Sequence, residues 1–311
     1  MIKKFEKRYS MNDKKLCLGT VQLGLDYGIN NSKGQPDKKK AFEILKKAID
    51  FGIEYFDTAP VYGNAQEILG DFFRLGIDVQ KLRVISKLPT GLVKSDTGYD
   101  EAVQLIEGQI DRTIEELGVS VLDGYLIHNE NDLYNKNIEE ALLECKKNKL
   151  VMNLGVSVYC PQKAIDAANT DFIDYIHVPF NIFDRRLVNN NFFNIAKENG
   201  KRVFARSVLL QGLMMMKKSQ IPDHLKNIEK HLKKLDDIIK RNGFSRLESA
   251  FLYPLMHSGI DFVVFGVESP GQLDEIKSVL DKFDHFDTCF NELQNEFHDV
   301  DDYILSPNKW V

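Results

Sequence analysis

The chain has 311 residues, 43% of them hydrophobic and 10% aromatic, which is the usage of a folded globular protein and too apolar for a disordered one. A net charge of −5, from 41 basic and 46 acidic residues, argues against nucleic acid as the main partner, because a domain that neutralises phosphates is usually basic. A helical membrane span needs about 18 consecutive apolar residues. The longest apolar stretch, from Val208 to Met216, is broken by Gln211 and Gly212, so none is expected.

The first ten residues, MIKKFEKRYS, carry charges without an apolar core and do not read as a secretory signal. From there, short apolar runs rich in β-branched residues alternate with helix-period segments. Strands are predicted at 15–20, 53–58, 84–88, 122–127, 153–158, 174–179, 202–207 and 261–266. Each is nearly continuous in apolar character, as parallel strands covered on both faces are. Residues 38–51, 100–117 and 223–242 place apolar side chains at spacings of three and four: Ile106, Ile110 and Ile114 in the second, Leu225, Ile228, Leu232 and Leu235 in the third. That spacing puts them on one helix face. Gly52, Gly118, Gly200 and Gly243 follow helical patterns as C-terminal caps do. The seventh connection, 210–257, is long enough for two helices.

Eight β-α units without a linker or composition break predict a single (β/α)8 TIM barrel, α/β in class, as one domain over 1–311. The barrel is expected over 15–281, followed by a C-terminal extension at 282–311. That tail is too apolar to float free, so it packs over the barrel or against a partner subunit in a homo-oligomer. The alternative is a doubly wound open sheet. The segment after the first strand, GTVQLGLDYG, lacks the GxGxxG spacing such a sheet uses for a pyrophosphate. The four cysteines form no CxxC pair and none lies at metal-ligand spacing from a histidine. No metal site is expected, and the thiols read as those of a reduced cytoplasm.

In such a barrel the reacting residues sit at the C-terminal ends of strands. Polar residues closing apolar runs are therefore the candidates: Asp57 in EYFDTAP, Tyr62 in PVYGN, Lys87 in VISKLP and His128 in GYLIHNE. Together they make chemical sense as a proton-transfer unit. A free phenol has a pKa of about 10, too high for efficient exchange near neutrality, and a nearby ammonium lowers it. Asp57 can hold Lys87 charged, and a neutral His128 can orient a carbonyl. Other readings remain at this point: an Asp–Lys pair that only ties strands together, or Lys87 as a Schiff-base lysine in a lyase or aldolase.

These residues carry a resemblance. FDTAPVYGNAQEILG, ISKL and YLIH, in that order, resemble the motifs of the aldo-keto reductase superfamily, and the likeness extends over about 15–281. The resemblance implies a barrel that binds NADP or NAD across its mouth. It also implies Tyr62 as general acid, assisted by Lys87, Asp57 and His128, and a small carbonyl or sugar substrate. GVSVY is similar to the family segment at the nicotinamide carboxamide, with Ser157 kept and Val158 in place of Asn. IHVPFN is similar to the next, with His177 in place of Gln. In FARSVLLQGLM, Arg206 replaces the aromatic that stacks on the nicotinamide, while Ser207, Leu209 and Gly212 match the loop over the pyrophosphate. FGVESPGQLDEI resembles the adenosine segment through Gly266, Ser269, Gln272 and Glu275, and Thr20 and Asp57 fall at further cofactor positions. RSVLLQGL and ILSPNKW resemble a bacterial subgroup associated with surface-sugar pathways. The alternative within this resemblance is a reductase-like regulatory or interaction protein that binds cofactor without turnover.

Overall fold

The structure, a computed structural model, describes residues 15–310. The N-terminal segment judged above for a signal lies outside the described residues. Eight parallel strands follow in chain order: β1 (Lys15–Gly19), β2 (Tyr55–Asp57), β3 (Arg83–Leu88), β4 (Leu122–Ile127), β5 (Val151–Ser157), β6 (Tyr175–Pro179), β7 (Arg202–Arg206) and β8 (Phe262–Phe265). They close into one barrel in that order, with β1 pairing β8. The open-sheet alternative is excluded. Each strand lies within two residues of its predicted span.

The helices cover the outside. Lys38–Asp50, Tyr99–Leu117 and Lys136–Lys147 bury their periodic apolar residues. Gly52, Gly118, Gly200 and Gly243 all take positive φ, which glycine adopts without steric cost. The segment predicted as one helix over 223–242 is instead a 3-10 segment, Asp223–Ile228, followed by the α-helix Glu229–Arg241. Leu225 and Ile228 are buried in both readings, because a spacing of three suits either helix type. A second helix, Arg246–Met256, follows in the same connection behind a Ser245–Glu248 capping box. The tail lies on the barrel: Phe286, Leu293, Phe297, Ile304 and Leu305 belong to the main buried cluster. Phe297 meets Phe183 edge-on at 5.0 Å, and Arg186 donates to Leu305 O at 3.4 Å. No described helix is long and apolar enough to cross a membrane.

The barrel interior is plugged by aromatic rings. Phe204 and Phe262 stack at 4.1 Å, Tyr55 meets Phe262 at 4.5 Å, and Tyr175 meets Phe204 at 5.0 Å. Tyr175 fits because β4 and β5 present glycines to it. A Cβ at Gly155 would stand 2.5 Å from Tyr175 O and 3.0 Å from Leu126 Cγ, and one at Gly124 would stand 3.1 Å from the Tyr175 ring. The Tyr175 hydroxyl donates to Asp123 Oδ2 at 3.0 Å. Gly155→Ala must displace backbone and is expected to cost ~1–3 kcal/mol through overpacking. A lower denaturant midpoint at unchanged slope would show it, and an unchanged midpoint would contradict the packing described.

Candidate active site

A cavity of about 390 Å3 opens at the C-terminal ends of the strands. The barrel register brings the four candidates into it. Asp57 ends β2 opposite Gly19 and Ile85, Lys87 lies two residues beyond Ile85 on β3, and His128 follows the last residue of β4. Tyr62 comes from the turn after β2, where Gly63 must stay a glycine: a Cβ there would stand 2.1 Å from Gly24 O.

Lys87 Nζ donates to Asp57 Oδ1 at 2.7 Å and to Thr58 O at 2.9 Å, and both side chains of the ion pair are buried. The same ammonium lies 4.8 Å from the centre of the Tyr62 ring, and the His128 ring meets Tyr62 edge-on at 6.1 Å. Burial pulls Lys87 toward neutrality, but Asp57 and Tyr62 outweigh it and its pKa lies above the ordinary value. A Schiff base requires the neutral amine, so this environment opposes one. Burial lifts the Asp57 carboxyl, with Lys87 opposing. The Tyr62 phenol departs from the sequence expectation. Lys87 does pull its pKa down, yet burial exceeds that pull and the net direction is up. The phenol thus keeps its proton near neutrality.

His128 is pushed down to about 3 by burial and by the charges of Lys87 and Arg206. His177 is fully buried, stacks on Phe204 at 4.5 Å, and approaches Asp57 Oδ1 at 3.6 Å. Burial, Lys87 and Arg206 hold it well below the usual imidazole range. Ser157 pairs with His177 across β5 and β6, and Arg206 ends β7 beside Pro179. Arg206 Nη2 donates to Val158 O at 3.0 Å, and its guanidinium lies 3.8 Å over the Tyr159 ring.

After β7 the chain is strained. Ser207, Leu210 and Gln211 all have φ near +50 to +60°, and Gly212 has φ 91°. Non-glycine residues in this region are a cost that surrounding structure must impose. Asn181 Nδ2 donates to Ser207 O at 3.2 Å, and Arg246 donates to the carbonyls of Met214 at 3.0 Å and Met216 at 2.9 Å. This loop meets the one after β1 over the cavity. A Cβ at Gly212 would stand 2.5 Å from Asn30 Cβ, and one at Gly28 3.3 Å from Gln211 O.

Of the predicted cofactor positions, Asp57, Ser157, His177, Arg206, Ser207, Leu209, Gly212, Gly266, Gln272 and Glu275 line this cavity. Thr20 and Ser269 do not appear in the lining. The Thr20 hydroxyl donates to Asp57 O at 3.0 Å, tying β1 to β2, and Ser269 caps the helix Pro270–Leu280. The sequence reading missed Gln22, Tyr27 and Tyr159, which also line it. The Tyr27 phenol is pushed up to about 12 by burial, with a hydrogen bond to Gln211 opposing. Gln22 occupies the space a side chain at Gly266 would fill, 1.9 Å from that Cβ position. Both tyrosines stand in quoted motifs, GLDYG and GVSVY, but a loop aromatic carries no periodic signal.

The family model described as the aldo/keto reductase family matches residues 15–294. The chain belongs to the aldo-keto reductase family. It is 24% identical over 289 residues to the aldo-keto reductase YhdN of Bacillus subtilis, covering 85% of this chain and 84% of that protein. It is 22% identical over 308 residues to the L-glyceraldehyde 3-phosphate reductase of Escherichia coli, covering 86% and 88%. The structure superposes on the holo form of aldo-keto reductase AKR11C1 from Bacillus halodurans with TM-score 0.69 at 21% identity, covering 88% and 91%, which shows a shared fold. The chain is thus an NAD(P)H-dependent oxidoreductase of carbonyls and alcohols. The cavity suits a nicotinamide nucleotide on its own chemistry. Both ring nitrogens of His177, Arg206 Nε and Gln22 Oε1 are buried without partners. Unpaired buried polar groups cost ~1–3 kcal/mol each, and a ligand with amide, hydroxyl and phosphate groups supplies partners.

The depressed pKa of His128 has a direct readout. An ordinary histidine titrates between about pH 5 and 8. The His128 ring is expected to show no NMR titration step in that range, and a step there would contradict the burial, and the Lys87 and Arg206 charges, that hold it neutral.

Proposed function

We propose that the protein interconverts a small aldehyde, ketone or sugar and its alcohol, with Tyr62 as general acid in reduction and general base in oxidation. The observation that carries this reading is the convergence of Tyr62, Lys87, Asp57 and His128 from three adjoining strand ends on one cavity. When bound, the nicotinamide nucleotide supplies a hydride to the carbonyl carbon. Tyr62 gives its proton to the carbonyl oxygen, and the resulting phenolate is stabilised by the Lys87 ammonium. Asp57 holds that ammonium charged and aimed. His128, kept neutral, hydrogen-bonds the carbonyl oxygen without competing as an acid. The closed aromatic floor keeps bulk water from below the reacting atoms.

The cofactor is assigned to the lining residues named above, with Ser157 and His177 facing its reactive end and Gln272 and Glu275 its far end. Thr20 and Ser269 act by fixing β1 and the helix after β8. A sugar substrate is supported by the polar lining, including Asn30, Asn31 and Gln211, and by the sugar-phosphate activity named for the Escherichia coli relative. A cytoplasmic setting is supported by the four free cysteines, of which three are buried.

Tyr62→Phe removes the proton donor and keeps the ring. It is expected to lower kcat about 10²–10⁴-fold while cofactor affinity stays near wild type. Unchanged turnover in stopped-flow assays would overturn the role of Tyr62. Titration calorimetry with NADH and NADPH tests the cofactor site. Glu268 and Glu275 line the cavity and no basic residue of that segment does, a setting that favours a ribose hydroxyl over a 2′-phosphate. NADH is expected to bind more tightly. Tighter NADPH binding would instead assign the phosphate to Lys33 and Lys40, whose charges act on Glu268.

A further inference from the structure

The end of the cavity that holds Tyr62 carries a positive charge with no counter-charge. Arg206 lines it, stacked 3.8 Å over the Tyr159 ring, with Nη2 on Val158 O. Its Nε is buried and unpartnered, and among the described residues it makes no ion pair with a carboxylate. The other cation, Lys87, is neutralised by Asp57 at 2.7 Å. His128 and His177 are held neutral. The charges acting on Tyr62 are those of Lys87, Asp57 and Arg206, which sum to one positive charge. A guanidinium does not shed its proton in a protein, so burial cannot remove that charge.

A fixed positive charge acts differently on the two redox states of a nicotinamide. The ring must reach the carbon whose oxygen Tyr62 protonates, so it occupies this end of the cavity. The reduced ring is neutral. Giving up a hydride, one proton with two electrons, leaves it cationic. The ribose and phosphate groups are identical in both states and cancel in the comparison. In a partly enclosed site the repulsion between two cations is weakly screened. The stack on Tyr159 fixes the guanidinium, so it cannot swing away when the ring becomes charged.

We propose that Arg206 makes the site bind the reduced cofactor more tightly than the oxidised one. The inference rests on the cofactor reading above. The free enzyme then loads with the reduced form, and the oxidised form is repelled once the Tyr62 phenolate left by transfer has regained a proton. The counterpart is that the bound ring donates its hydride with correspondingly less driving force, because whatever stabilises the reduced form weakens it as a donor.

The experiment is a set of equilibrium titrations of the reduced and oxidised cofactor, in whichever phosphate form binds, on wild type, Arg206→Gln and Arg206→Lys. The readout is the ratio of Kd for the oxidised form to Kd for the reduced form. Losing the charge in Arg206→Gln is expected to lower that ratio by about tenfold or more, since tenfold in Kd is only about 1.4 kcal/mol. Arg206→Lys keeps the charge and is expected to keep most of the ratio. If Arg206→Gln does not fold, Arg206→Met gives an uncharged side chain of similar length for the same comparison. An unchanged ratio in the uncharged variant would overturn the proposal. So would a lysine variant that behaves like the uncharged one, which would assign the effect to stacking geometry. If neither form binds wild type, it is the cofactor reading itself that fails, a separate result.

Discussion

The buried pair of Asp57 and Lys87 is the interaction on which the site depends. Two charges removed from water are tolerated only when each satisfies the other and the remaining hydrogen-bonding capacity is used. Here Lys87 reaches both Asp57 and Thr58 O. Taking away one partner of such a pair typically costs ~3–5 kcal/mol, so the barrel and the proposed reactive unit are stabilised by the same contact. The pair forms because β2 and β3 run parallel in a fixed register. A slip of one residue would turn Asp57 or Lys87 to the outside.

Below the pair, the aromatic plug sets the electrostatics above it. Tyr55, Tyr175, Phe204 and Phe262 fill the barrel and support His177 from beneath. The glycines of β4 and β5 make this filling possible, since side chains there would occupy the volume of Tyr175 and Leu126. A dry floor is why burial dominates the titration of Asp57, Tyr62 and His177 alike. Core packing and reactivity are therefore one problem: loosening the plug admits water and relaxes every one of these shifts.

Much of this was legible in the chain. The eight strands could be read because parallel strands buried on both faces are continuous apolar runs, and only their ends, set by barrel closure, moved by a residue or two. Asp57, Lys87 and His128 stood out as polar residues ending such runs. Tyr62 needed the turn motif around it. What could not be read was what tertiary closure creates. Tyr27 and Tyr159 come from loops after different strands and line one cavity only because the barrel closes. Gln22 faces Gly266 across the β1–β8 seam. Thr20 ties β1 to β2 through its hydroxyl, and Ser269 is the N-cap of the helix after β8, with its backbone N–H on Gln272 Oε1. The net direction of the Tyr62 shift was also hidden, because residue types reveal a neighbouring charge but not the depth of burial that opposes it.

The strained loop after β7 is held from outside the cavity. Ser207, Leu210 and Gln211 hold unfavourable backbone angles only because Asn181 grips one end and Arg246 the other. Those anchors lie outside the reacting centre, on the segment after β6 and on the helix before β8. The loop is thus shaped by residues outside the cavity lining. Arg206 sits at the junction of barrel and loop, the last residue of a rigid strand and the first before the strained turn. Its side chain faces the cavity, while its strand pairs with β6 and β8 and not with the β2–β3 pair that carries Asp57 and Lys87.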